Sequence, residues 1–115
     1  MDIVWLATET TYETTQEALR DSGAQVRKRM GFEPLTTLGI IAGVAVLARA
    51  LRKLFTDSRY RGVLIDTTKS PIEVREMPGW DRNQVLIVTT EGPQFHQFER
   101  EPDLQDLLGK LLPGE

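Results

Sequence analysis

The chain opens on a short apolar run, residues 3–7, in which both parities are apolar: Ile3, Trp5 and Ala7 on one side, Val4 and Leu6 on the other. Such a run predicts a strand covered on both faces. Residues 8–11 are polar and read as its exit loop. Thr14 with Glu17 three residues later matches a capping box and predicts a helix start. Gly23 follows Asp21-Ser22 and is a natural stop, because glycine enters the left-handed conformation without a Cβ penalty. Residues 24–30 read as a second short strand, carrying the basic run Arg27-Lys28-Arg29.

Residues 35–48 contain no charge, and Arg49, Arg52 and Lys53 then arrive where they suit the negative end of a helix dipole. Pro34 stands where proline fits a first helical turn. The spacing therefore predicts one main apolar helix over residues 33–56, followed by a polar turn at 57–61.

Two similar segments come next. Val63-Leu64-Ile65-Asp66-Thr67-Thr68 is echoed by Val85-Leu86-Ile87-Val88-Thr89-Thr90, an offset of 22 positions. Each ends in a turn with proline, Pro71 or Pro93, and each is followed by alternation. That is the pattern of two consecutive β-hairpins, with Pro78-Gly79 as the link. Shared turn chemistry explains the likeness more simply than a duplicated functional loop. Pro102 opens a last helix in which Leu104, Leu107, Leu108, Leu111 and Leu112 make one apolar stripe.

These elements predict an α+β fold in one domain spanning 1–115: a mostly antiparallel sheet from two hairpins plus the N-terminal strand. One long apolar helix and a short C-terminal helix would cover it. A strand at 24–30 would add a β-α-β crossover and a ferredoxin-like start.

Composition changes this picture little. The 115 residues are 40% hydrophobic and 27% charged, ordinary for a globular domain. The net charge of -3 gives no electrostatic reason to expect nucleic acid as a partner. There is no cysteine, which excludes disulfides and thiolate chemistry and fits a cytoplasmic protein. Met1-Asp2-Ile3-Val4-Trp5 has neither the basic nor the apolar region of a secretory signal.

The apolar segment has two readings. Fourteen charge-free residues would cover roughly 21 Å as a helix, against about 30 Å of bilayer hydrocarbon. Extending it to residue 54 brings Arg49, Arg52 and Lys53 inside. A core helix needs no such concession, so a membrane anchor at 35–54 is the alternative. Gly39 and Gly43 fit a small-xxx-small spacing. They predict close packing on the protein's own sheet or, failing that, a helix–helix seam in a homodimer.

The search for chemistry finds no catalytic residues, no metal ligands and no cofactor motif. His96 is the only histidine, and one histidine without cysteine makes neither an activated nucleophile nor a metal site. Asp66 and Glu73 flank the first hairpin turn, and Glu9, Glu13 and Glu17 lie along the first loop and helix. All sit in polar sequence, where solvation outweighs acid/base work. The basic clusters 27–29 and 49–53 read as solvated faces. Trp80, after Pro78-Gly79, is either a lid on the core or an anchor for a partner. With Phe95, His96 and Phe98 it forms the expected partner-facing patch.

An apolar Gly/Ala-rich segment, Leu38-Gly39-Ile40-Ile41-Ala42-Gly43-Val44-Ala45-Val46-Leu47, is followed by Arg49-Ala50-Leu51-Arg52. Val85-Leu86-Ile87-Val88 with Gly92, and Pro102-Asp103-Leu104, come later. In these residues the chain resembles the effector-associated constant component type of small bacterial domain. It departs from that type in the extra hairpin at 62–77 and in Glu91-Gly92-Pro93 at the second turn. The resemblance implies an adaptor in a bacterial conflict or signalling system, with no catalytic residue to carry over. The leading expectation is thus a non-catalytic domain that binds another protein. A membrane-associated structural protein, or an inhibitor, immunity protein or assembly subunit, are the alternatives.

Overall fold

The computed structural model describes residues 1–32, 35–57, 59–97 and 101–112, without the side chains of 27–36, 101 and 102. Among these residues seven strands and three helices follow one another as β1 (Asp2–Thr8), α1 (Tyr12–Asp21), β2 (Gln25–Phe32), β3 (Leu35–Ile41), α2 (Val44–Leu54), β4 (Gly62–Asp66), β5 (Ile72–Met77), β6 (Gln84–Thr89), β7 (Gly92–Gln97) and α3 (Glu101–Leu111). The strands form one sheet in the order β2-β3-β1-β5-β4-β6-β7.

The fold is α+β, but the sheet is mixed. β1 runs parallel to β5, and β4 parallel to β6, while the other neighbouring pairs are antiparallel. Both hairpins form, β4/β5 and β6/β7. They do not continue into a meander, because residues 78–83 carry the chain past the start of β4 and set β6 on its far side. The 22-residue echo is the register of that parallel pair: Val63 lies opposite Val85, Leu64 opposite Leu86, Ile65 opposite Ile87. Thr67 continues the pairing, its backbone N–H and hydroxyl both donating to the Val88 carbonyl at 2.9 and 2.8 Å.

The long apolar helix is replaced by a strand and a shorter helix. Leu35–Ile41 is β3, inserted between β2 and β1 and hydrogen-bonded to both. α2 begins only at Val44, after Gly43 in extended geometry (ψ 176°). A charge-free run of this length fits strand or helix equally on periodicity, and two antiparallel neighbours decide for strand. β-branched Thr36, Thr37, Ile40 and Ile41 favour the same outcome. Gly39 therefore pairs opposite Val4 and Lys28 in the sheet, while Gly43 precedes a helix. The two share no helix face, so the proposed seam has no basis. Pro34 lies outside the described residues. No helix among the described residues is long and apolar enough to cross a membrane.

α1 starts at Tyr12, two residues before the Thr14 capping box, with Thr11 at its N-cap position. Its end is as expected: Gly23 has φ +105°, Gly23 N–H donates to the Arg20 carbonyl and Ala24 N–H to that of Leu19. Those two bonds close a Schellman motif. Arg49 of α2 donates to the Ser22 carbonyl at 2.9 Å, tying the end of α1 to the neighbouring helix.

The helices lie side by side, α1 and α3 flanking α2, over one face of the sheet. Trp5, Leu38, Val74, Ile65 and Ile87 form one row across that face, all fully buried. Leu19, Leu47, Leu51, Leu54, Leu104 and Leu108 come down onto it from the helices. Among the described residues no helix lies on the opposite face. Val4 and Leu6 of β1 stand there half-buried, so β1 is covered on one face and not on two.

Gly62 marks where residues 78–83 cross the start of β4. A Cβ there would stand 2.8 Å from the Gln84 carbonyl oxygen and 3.0 Å from the Trp80 ring. Backbone on one side and an indole on the other leave no soft neighbour to yield. Gly62→Ala is expected to destabilise the fold by about 1–3 kcal/mol in urea unfolding. A loss under about 0.5 kcal/mol, the ordinary range for a surface change, would mean the crossing segment moves aside freely.

Candidate functional site

The helix-free face carries a row that follows from register alone: Thr37, Leu6, Arg75, Leu64, Leu86 and Phe95. Phe95 is 55% exposed. The Trp80 ring lies 5.4 Å from it, inclined by 35°. Because Gly62 has no side chain, the indole seats directly over β4, within 3.0 Å of where a Cβ would be. Arg61 Nε donates to the Trp80 carbonyl at 3.0 Å and fixes the loop there. Trp80 is thus half-buried, resting on β4 with one side against Phe95.

Of the expected patch, the structure brings Trp80 and Phe95 together. His96 is not with them. It pairs opposite Val85, on the helix-covered side of β7, and its Nε2 lies 3.5 Å from Gln94 Oε1. Alternation along the strand separates neighbours 95 and 96 onto opposite faces. Phe98 lies outside the described residues.

Asp66 and Glu73 do face each other across β4 and β5. Each has its own donors. Thr68 N–H and hydroxyl go to Asp66, while Lys69 lies 3.3 Å and Arg75 3.6 Å from Glu73. Glu9, Glu13 and Glu17 are exposed. Among the described residues no group of three or more His, Cys, Asp or Glu is placed to hold a metal ion.

The carboxylate that sequence reading missed is Glu76. It is 4% exposed, on the helix-covered face near the end of β5. Oε2 accepts from Trp5 Nε1 at 2.9 Å and from the Thr15 hydroxyl at 2.7 Å. Oε1 accepts from Thr8 N–H at 3.2 Å and from the Thr11 hydroxyl. β1, the 8–11 loop and α1 are all fastened to one carboxylate. Its signal was present in the sequence: Glu76 shares the parity of Ile72 and Val74, the buried phase of the strand.

Thr8, Thr11 and Glu76 also line a narrow cavity that includes Tyr60. Tyr60 is 2% exposed, with its ring 5.9 Å from that of Phe55. Its hydroxyl has no hydrogen-bond partner among the described residues. Burial, and then the Glu76 charge, push that hydroxyl well above the usual tyrosine range, so it remains a proton donor at neutral pH. Beside it Arg59 holds Asp57 in a fork, Nε and Nη2 donating at 3.2 and 2.9 Å. Those side-chain bonds, with one from the Arg59 N–H, bring the Asp57 carboxyl down to about 2. Arg59 Nη2 also donates to the Thr14 hydroxyl at 2.9 Å. No family model, curated protein or solved structure matches this chain.

Proposed function

We propose that this domain is a non-catalytic protein-interaction module, and that its helix-free sheet face, centred on Trp80 and Phe95, meets the partner. The observation that carries this reading is the exposure of Phe95, 55%, on a row with half-buried Leu6, Leu64 and Leu86. Large apolar side chains grouped on an open face mark interaction surfaces more often than singly scattered ones. Tryptophan and arginine are enriched among binding hot spots, and here Arg75 stands within the row and Trp80 packs against Phe95 at its end. The buried acid of the fold is saturated by four donors that build structure, which supports a binding role over a catalytic one. An adaptor role of this kind agrees with the resemblance to effector-associated constant components.

A photo-crosslinking amino acid at position 95, in cells that make the protein, tests the reading. A discrete adduct is expected at 95 and not with the same probe at Arg52, on the outer face of α2. Trp80→Ala should remove the adduct while the folded spectrum persists. An adduct equal at both positions, or absent at 95, would overturn the proposal. An adduct of twice the chain mass would identify the partner as a second copy.

A further inference from the structure

A buried tyrosine combines an apolar ring with a polar tip, and such hydroxyls find hydrogen-bond partners. Tyr60 stands between α2 and β4 and is fixed by both backbone and ring. Its N–H donates to the Asp57 carbonyl at 3.0 Å, and its ring packs 5.9 Å from that of Phe55. The residue is 2% exposed, and its hydroxyl has no partner among the described residues. Thr8, Thr11 and Glu76 line the same cavity of about 10 Å³ as Tyr60, and the Glu76 charge acts on the hydroxyl. One water molecule needs roughly 10–15 Å³, so the space suits a single water and excludes any organic ligand.

We propose that this cavity binds one water molecule, which accepts the Tyr60 proton and donates to the Thr8 and Thr11 hydroxyls. The assignment follows from counting protons and lone pairs. Glu76 accepts four hydrogen bonds, which fills both of its oxygens. Thr11 has one hydroxyl proton and gives it to Glu76 Oε1. In the Thr8–Thr11 pair, 2.8 Å apart, the donor is therefore Thr8. The Thr8 oxygen also takes the Thr11 N–H at 3.3 Å. A hydroxyl oxygen has two lone pairs, so each threonine keeps one. Tyr60 supplies a donor and the threonines two acceptors, and a water turns that set into three hydrogen bonds, the usual number for a buried one. The link between α2 and β4 is thereby fastened to the 8–11 loop. Arg61 and Gly62, which seat Trp80, follow Tyr60 directly, so the same water braces the base of that loop.

A crystal structure of the full chain, fine enough to place ordered waters, tests the site together with urea unfolding of two variants. One water is expected within hydrogen-bond distance of the Tyr60 hydroxyl and of both threonine hydroxyls. Tyr60→Phe keeps the ring and its packing on Phe55, so the variant folds, and the sign of its effect is informative. A hydroxyl bonded to water is worth one hydrogen bond, and its removal should raise the unfolding equilibrium constant about fivefold. A buried hydroxyl with no partner would instead be a burden, and its removal would stabilise the fold. Thr8→Val takes away one of the water's acceptors. The double variant should therefore lose less than the product of the two single effects, because both act through the same water. A Tyr60 hydroxyl bonded directly to a protein acceptor would overturn the proposal. So would a cavity without water density, a higher or unchanged urea midpoint in Tyr60→Phe, or single effects that multiply in full.

Discussion

Glu76→Ala is expected to lower the stability of this domain by about 3–5 kcal/mol, the range for stripping one side from a buried charged network. Four donors lose their acceptor at once: the Trp5 indole, the Thr8 amide and the hydroxyls of Thr11 and Thr15. A buried donor left alone costs about 1–3 kcal/mol, and the four are not additive because a cavity of that size admits water to some of them. Total stabilities of small domains are about 5–15 kcal/mol, so the variant would stand near the edge of folding. Glu76→Gln separates charge from shape. It keeps one carbonyl oxygen but turns an NH₂ toward donors, and about half of the loss is expected to remain, on the order of 2 kcal/mol. Thr15→Val removes a single donor and should cost about 1 kcal/mol. Urea midpoints followed by tryptophan emission measure all three. A Glu76→Ala loss below about 1 kcal/mol, the worth of one ordinary hydrogen bond, would show that the carboxylate does not hold α1 to the sheet.

That network also explains what the sequence concealed. The hairpins were legible because their signals are local: an apolar run, a Thr-Thr pair, a turn. Even the register of β4 against β6 was present, as the 22-residue echo. The Leu stripe of α3 and the stop at Gly23 rest on local periodicity and local backbone freedom in the same way. Strand order was not legible, since it depends on which crossovers pass over which strands, and no local pattern records that. Residues 35–41 were misread for a related reason: freedom from charge reports burial, and burial is common to a central strand and a core helix. In the site, Trp80 and Phe95 could be paired on residue type, but His96 could not be assigned to the same patch without strand parity. Glu76 was visible as an acid in a buried phase, a local conflict of the kind that marks a special position.

The division of residues 35–54 into strand and helix carries its own large effect. Leu51→Ala is expected to cost about 2–5 kcal/mol, the range for truncating a fully buried leucine. Leu51 is 0% exposed, and α2 is the middle helix, packed by α1 on one side and α3 on the other. Its surroundings therefore have little room to collapse into the space. Leu111 of α3 is only half-buried, at the margin of the same layer. Leu111→Ala should lose nearer 1 kcal/mol, since less apolar area leaves water in forming that contact. Arg52, next to Leu51 in the chain but exposed, should change stability by no more than about 0.5 kcal/mol on replacement with Ala. The order Leu51, Leu111, Arg52 in urea midpoints tests the facing of α2. A single helix through 35–54 would keep Leu51 buried too, so the discriminating position is Thr37. It stands in β3 opposite Leu6 and Met30, with a paired strand on each side, so its N–H faces a ladder partner whichever way it points. Proline there removes a ladder hydrogen bond from the interior of the sheet and should unfold the domain. Near an early turn of a long helix, the same proline would cost little.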